Sequence, residues 1–454
     1  MTETTTDPTA TLAAFAAGLT YDAIPADARD ATKALLLDAL ACALAGHQGE
    51  ETGQLDAMVS ALAQSDETSV IGGGRRSMAG ATILNGYLIT AVTMCDVHRA
   101  TLTHITPEVV PPALAIAERD SVSGRDLLVA LAAGFEVTTR IGIGLDYPVF
   151  REKGWHGPGV IGPFGSAAAV GRLRGFDAET MARAFGLAGA QSAGTFAAWG
   201  TPTVKWHQCR AALSGLMAAL LAEQDFVATR EFLTAPDGGL YNTYAEGGRI
   251  DLATGDLGTR WELQQIALRM WPSATALQDV LTALFVVINE NDFAFNDVAS
   301  VRISVGQTPF DMHGGYSTYT AKFEALLSAH YVTAVDLRDR AVTLDQFEPN
   351  CYDDPTLRKF AAAQVEVVAD PGLKGGEAVA DVTTRDGKIL SGRCHFPLGA
   401  PENPLSQQQI EDKFRIYAVK ILSSGQIDDL IAAVNCLEDM PNAGALFDIL
   451  RPAR

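Results

Sequence analysis

Lysine and arginine are scarce: 34 stand against 54 aspartates and glutamates, a net charge of −20. Such a surface repels nucleic acid and anionic membrane and keeps a protein in solution. Cysteine is scarce too, and the six residues (Cys42, Cys95, Cys209, Cys351, Cys394, Cys436) are scattered, with no CxxC and no Cys/His pair at zinc spacing. They read as reduced thiols rather than a disulfide frame or a metal site. No uninterrupted apolar run approaches the ~20 residues of a bilayer-spanning helix. The polar opening MTETTTDPTA holds no apolar signal core. The expectation is a cytoplasmic protein with neither nucleic acid nor membrane as partner. A small anionic substrate would have to overcome the negative field, so the chain must supply a few well-placed cations.

What is abundant is alanine, leucine and glycine. Apolar residues make up 48% and charged residues 19% of 454 positions, enough for a large core or a smaller one completed by an oligomer interface. The length favours two domains. Residues 1–270 read as almost wholly helical, with Ala/Leu-rich stretches at 30–45, 79–94, 110–118, 124–144, 161–173, 178–190 and 211–224. After 271 the pattern changes. Residues 299–305 and 363–368 alternate at period two, and 378–384 and 388–394 flank the hairpin signal Asp386-Gly387. Helical segments at 319–335 and 354–363 lie between them. Ser406 and Gln409 make a capping box for a final helical stretch. The fold class expected is mainly α: a helical domain over 1–270, completed by 405–454, and a smaller α+β lid over 271–404.

Four clusters join titratable residues to turns. The loop after Asn85-Gly86 holds Asp96, His98, Arg99 and His104, and reads either as a pocket edge or as a solvated loop. In KGWHGPGVIGPFGSAAAVG, His156 precedes Gly157-Pro158-Gly159, where irregular backbone can approach a ligand closely. A phosphate loop is disfavoured there: Gly157, Gly159 and Gly162 are spaced as GxGxxG, but no GK[ST] follows and no strand precedes them. In GTPTVKWHQCRAALSG, Lys205, His207, Cys209 and Arg210 stand just before a long helix. Cations oppose the dipole of a helix start, and an anion shared with the N–H groups would justify them. Arg269 and Trp271-Pro272 mark the junction of the two regions. Tyr331, by periodicity alone, reads as core.

The order and spacing of these clusters resemble the MmgE/PrpD family, which includes 2-methylcitrate dehydratase, cis-aconitate decarboxylase and iminodisuccinate epimerase. The resemblance covers the whole chain. It is carried by LLDALACALAG, by NG with its acidic/His loop, and by GWH with the later FGSAAAVGRLRG. A lysine before RAALSGLMAALLA, the W-P segment and the DKF near the end continue it. It implies a helical domain built from both chain ends, a lid between them, a homodimer, and no metal or nucleotide cofactor. His104, His156 and Tyr331 match family positions, and Lys205 matches with a one-residue shift, K-W-H standing for K-x-x-H. Four positions depart: Met94 where an acid is expected, His98 where a small residue is common, Arg269 for a lysine and Gln278 for a histidine.

Dehydration and decarboxylation need acids and bases beyond the first proton acceptor, whereas epimerisation needs only removal and return of one proton. The departures therefore tilt the expectation toward a cofactor-independent epimerase of a small, iminodisuccinate-like dicarboxylate or polycarboxylate. In that reading His104 and His156 exchange the proton, with Lys205 or Tyr331 as substitutes. Arg269, Lys205 and Arg99 hold carboxylates, with Asp96, His98 and Gln278 also lining the substrate. A lyase of the same family, with Asp96 as the acid, and a non-catalytic dimeric binding protein are the alternatives.

Overall fold

The computed structural model describes residues 7–452, so the first six residues of the polar opening and the last two of the chain lie outside the described residues. Helix accounts for 59% and strand for 9%, the mainly α class with a smaller α+β part that the sequence leads one to expect. Two compact units are present, Met1–Ala267 with Ser406–Arg454, and Leu268–Leu405.

In the first unit, α1 (Ala26–Gly46) is buried along most of its length. It crosses α2 (Met78–Thr90) so closely that a Cβ on Gly46 would lie 2.1 Å from the Leu88 carbonyl oxygen. A loop over 91–105 leads to α3 (Thr106–Asp120), which begins four residues earlier than the Ala/Leu pattern suggests. Local sequence hides that start because Ile105 offers no side-chain cap. The cap comes instead from Asp96, ten residues upstream of Thr106. Next, α4 (Gly124–Gly144) has the length and mean hydropathy of a membrane span, yet 94% of its most apolar window is buried inside the protein. It is a core helix, and it encloses the Glu136–Arg140 ion pair.

Two further helices begin earlier than expected. The Gly157-Pro158-Gly159 segment is not irregular: it forms the first turn of α5 (Gly157–Leu173), with His156 as N-cap. Proline fits a first turn, where its missing N–H costs nothing. Glycine is required by the packing, since a Cβ on Gly159 would sit 2.1 Å from the Ala193 carbonyl oxygen. Likewise α6 (Thr203–Glu223) already includes Lys205 and His207. Helix α5 packs against α3, α4 and α6, at the centre of the unit.

The second unit holds a four-stranded sheet of β1 (Val298–Val305), β2 (Val365–Ala369), β3 (Ala378–Thr384) and β4 (Ile389–Cys394), in the order β2-β1-β3-β4. The β1–β2 pair is parallel and the rest antiparallel. The β3–β4 hairpin turns at Asp386-Gly387, where Gly387 has φ of 86°. Alternate residues of β3 and β4 face a core shared with α7 (Thr275–Glu290) and α8 (Ala329–Asp339).

The chain then re-enters the first unit through α9 (Gln407–Ala418), capped by the Ser406/Gln409 box. Lys413, from the DKF segment, is 1% exposed; its Nζ donates to Asp38 on α1 at 2.6 Å and to the Met94 carbonyl at 3.2 Å. The two ends of the sequence are thus joined by a buried ion pair.

Candidate active site

The 91–105 loop is held from several sides. Asp96 is wholly buried; its Oδ2 accepts from the Ile105 N–H at 2.8 Å, and its Oδ1 accepts from the Thr106 N–H and hydroxyl. Burial pushes this carboxyl up to about 6, against the pull of those donors. Its side chain therefore caps α3, while its backbone carbonyl accepts from His104 Nδ1 at 2.7 Å. A carbonyl only accepts, so a proton sits on His104 Nδ1, and Nε2 is the nitrogen that takes up or releases one. Cys95 Sγ lies 3.7 Å from the same Nδ1.

His98 is also wholly buried, with Nδ1 2.8 Å from the Thr101 hydroxyl and Nε2 3.1 Å from Glu262. It braces the loop from within. Arg99 is half-buried at the loop's outer bend. Two non-glycine residues of the loop are in the left-handed region, Thr93 at φ 57° and Leu102 at φ 45°. Lys413 on the Met94 carbonyl and Lys205 on the Ala91 carbonyl, at 2.6 Å, complete the bracing.

His156, at the start of α5, is 7% exposed, and its Nδ1 lies 2.9 Å from His207 Nδ1 on α6. Only one proton fits between two ring nitrogens, so one ring donates and the other accepts. Burial, with the charges of His207, His104 and Arg151, presses His156 down to about 3. Burial, with Arg210, also lowers His207. The pair is therefore neutral at physiological pH.

The starts of α3 and α5 meet here, against the second turn of α6. A Cβ on Gly157 would lie 2.3 Å from the Thr103 hydroxyl, so α3 and α5 begin side by side, and the His156–His207 contact ties α6 to them. His104 just precedes the α3 cap, His156 caps α5, and His207 reaches them from the second turn of α6, so two helix starts and three imidazoles make a place suited to negative charge.

Lys205 faces away from His207 and toward the 91–105 loop, where Cys95 acts on its charge. Two helical residues turn through about 200°, which sets Lys205 and His207 on opposite sides of α6. Its ammonium lies 3.6 Å from Glu51, which also accepts from the Tyr87 hydroxyl. Burial lowers the Lys205 pKa, and Glu51 opposes that shift.

The remaining expected residues lie in the second unit. Arg269 is 3% exposed and donates to the Ser273 carbonyl at 3.1 Å. Gln278 braces the W-P-S turn: Oε1 accepts from Trp271 N–H at 3.2 Å, and Nε2 donates to the Trp271 carbonyl at 3.0 Å and the Ser273 hydroxyl at 2.8 Å. Tyr331 is wholly buried against Tyr319 and Phe347. Its hydroxyl donates to the Gln346 carbonyl, and burial holds its pKa well above the ordinary phenol value.

Sequence reasoning passed over His207 as a partner of His156, because reading 203–210 as a segment before the helix hid the face it occupies. It also passed over Glu108 on α3. Both Glu108 carboxyl oxygens are buried without a hydrogen-bond partner, and burial raises its pKa well above the carboxylate range. No group of three or more His, Cys, Asp or Glu suited to a metal ion occurs among the described residues.

A mainly helical protein of two units, with three histidines gathered about two helix starts, is the class these features define. The chain belongs to the MmgE/PrpD family: the N-terminal domain model of that family matches residues 10–253 and the C-terminal domain model residues 271–439. It is 29% identical to a cis-aconitate decarboxylase-like protein of Aspergillus oryzae, over 94% of each chain. It is 24% identical to the cis-aconitate decarboxylase of Aspergillus terreus, over 96% of this chain and 94% of that one. With the human cis-aconitate decarboxylase it shares 26% identity over 92% of this chain and 89% of the other.

Proposed function

We propose that this protein is a lyase of small polycarboxylates that works without a cofactor, with decarboxylation of cis-aconitate or a close analogue as its reaction. The observation that carries the reading is the gathering of His104, His156 and His207 where α3 and α5 begin and the second turn of α6 meets them. The names of the full-length relatives turn it toward decarboxylation rather than the epimerisation that the sequence departures favour. Substrate carboxylates supply the negative charge that the helix starts and imidazoles invite.

Loss of carbon dioxide from an arm beside a double bond breaks one C–C bond and shifts the double bond. The electron pair arrives on the carbon next to another carboxylate as an enediolate. A proton delivered to that carbon completes an unsaturated dicarboxylate. A protonated His104 keeps Nδ1–H on the Asp96 carbonyl and presents Nε2–H as the donor. The neutral His156–His207 pair binds and orients, and gains a proton as an anion settles beside it. Asp96, His98 and Lys205 act through the loop that carries His104. Arg269, Gln278 and Tyr331 serve within their own unit, as turn and core residues.

Epimerisation is the second reading, favoured by the presence of separate imidazoles on separate helix starts, as a base on each face of a carbon requires. Proton NMR with cis-aconitate, 2-methylcitrate and iminodisuccinate separates the two. Carbon dioxide release with new vinyl signals from cis-aconitate supports the lyase. Stereochemical scrambling of iminodisuccinate with no alkene would replace it by the epimerase. A homodimer belongs to the same reading, and sedimentation should give twice the 48.1 kDa chain mass.

A further inference from the structure

Arg151 lies in the last turn of the short helix Tyr147–Glu152, with its guanidinium carbon 3.4 Å from the centroid of the Phe196 ring. Phe196 stacks on Trp199 at 5.2 Å with an interplanar angle of 16°, and meets His156 edge-on at 5.9 Å. Backbone contacts fix this arrangement. Phe196 N–H donates to the Gly154 carbonyl at 2.7 Å, His156 N–H donates to the Gly194 carbonyl at 3.1 Å, and Trp155 bridges to Thr195. The charge of Arg151 reaches His156 and is among those that disfavour a proton there.

Other arginines near these helix starts are committed to the protein. Arg210 donates to the carbonyls of Gln191, Gly159 and Ala193, and Arg140 pairs with Glu136. Arg151 has an aromatic face as its contact, and its side chain forms no ion pair or hydrogen bond among the described residues. Other arginines also lack a carboxylate partner, such as Arg125 over the Tyr21 ring and Arg172 on the Leu19 carbonyl, but Arg151 is the one whose charge acts on His156. Stacking fixes the plane of a guanidinium while leaving its in-plane N–H fork for a planar anion, and carboxylate is the anion that fits two parallel donors.

We propose that Arg151, stacked on Phe196 beside His156, is a substrate-binding residue that takes one carboxylate and so makes the site prefer tricarboxylates over dicarboxylates. The assignment rests on the polycarboxylate reading above and sharpens it. It needs no reaction to be tested, because an inert ligand reports on it. Tricarballylate, which has three carboxylates and no double bond, and glutarate, which has two, are titrated by calorimetry into the wild-type protein, Arg151→Met and Phe196→Leu.

A charged hydrogen-bonded pair contributes enough that the wild type should prefer tricarballylate by about ten-fold or more. Arg151→Met should bring that preference close to one, and Phe196→Leu should weaken it part-way while keeping the charge. Thermal melts of both variants close to the wild type's would show that the fold is intact. An unchanged preference in Arg151→Met would overturn the clamp and leave the polycarboxylate reading standing. Failure of the wild type to bind either ligand would overturn both.

Discussion

Glu108 shows how a single residue can carry a proton inside this protein. Its carboxyl lies against α5, where a Cβ on Gly162 would meet it at 2.4 Å, and neither oxygen has a hydrogen-bond partner. Burial makes the neutral acid the stable form in the folded state, whereas the unfolded chain ionises it above its ordinary value of 4.5. The native state then holds one more proton than the unfolded state over that range. Wild-type stability from this group is full below pH 4.5 and falls as pH rises toward the folded pKa, by up to about 1.4 kcal/mol per pH unit. Glu108→Gln, neutral at every pH, should remove that slope. Denaturant unfolding at pH 5 and pH 8 checks this, and a variant losing stability between them as steeply as the wild type would show that Glu108 is ionised in the fold. No sequence signal marks this residue, since a glutamate in the first turn of a helix reads as an ordinary dipole partner.

At the scale of elements, the candidate groups stand near helix starts whose positions depend on contacts distant in sequence. Gly159 is the tightest of these: the Ala193 carbonyl leaves no room for a side chain, and the following residues 194–196 carry Phe196 against Arg151 and His156. Gly159→Ala should therefore cost about 2 kcal/mol in denaturant unfolding and weaken binding of tricarballylate as well. Wild-type stability in that variant would mean that the 190–202 loop yields freely. The same contacts explain what the sequence does and does not disclose. The Ala/Leu helices, the hairpin at Asp386-Gly387 and the Ser406 box are local patterns and are legible as such. The starts of α3, α5 and α6 are not, because Asp96 caps α3 from outside, proline and glycine disguise the first turn of α5, and cations disguise that of α6. His104 and His156 are singled out in the sequence by their acidic and glycine-rich surroundings, and the structure places them just before α3 and at the cap of α5. The splitting of Lys205 from His207 is visible only once both are known to lie on a helix.

For the molecule as a whole, the decisive link is between its ends. Asp38 and Lys413 are 375 positions apart in sequence and each about 1% exposed, and the pair also holds the Met94 carbonyl behind the His104 loop. Removing one partner leaves an uncompensated buried charge, so Lys413→Met should cost about 3–5 kcal/mol. Lys413→Met combined with Asp38→Leu should recover much of that loss, because the stranded carboxylate is gone. Thermal or denaturant unfolding of the two variants checks the pair, and a double variant as unstable as the single one would show that packing, not charge, is what Lys413 supplies. Neither residue announces this role in sequence. The DKF segment is legible only through family resemblance, and Asp38 sits in a run of alanine and leucine.

Delivery of a proton by His104 to the carbon next to a substrate carboxylate is the central claim, and it is tested most directly with cis-aconitate in deuterium oxide. Carbon dioxide release and deuterium incorporation are followed together in the wild type and in His104→Gln, at matched thermal stability. The wild type should place one deuterium on that carbon for each carbon dioxide released. His104→Gln should slow both by about 100-fold or more. Release at the wild-type rate from His104→Gln, or release from the wild type with no deuterium at that carbon, would contradict the account.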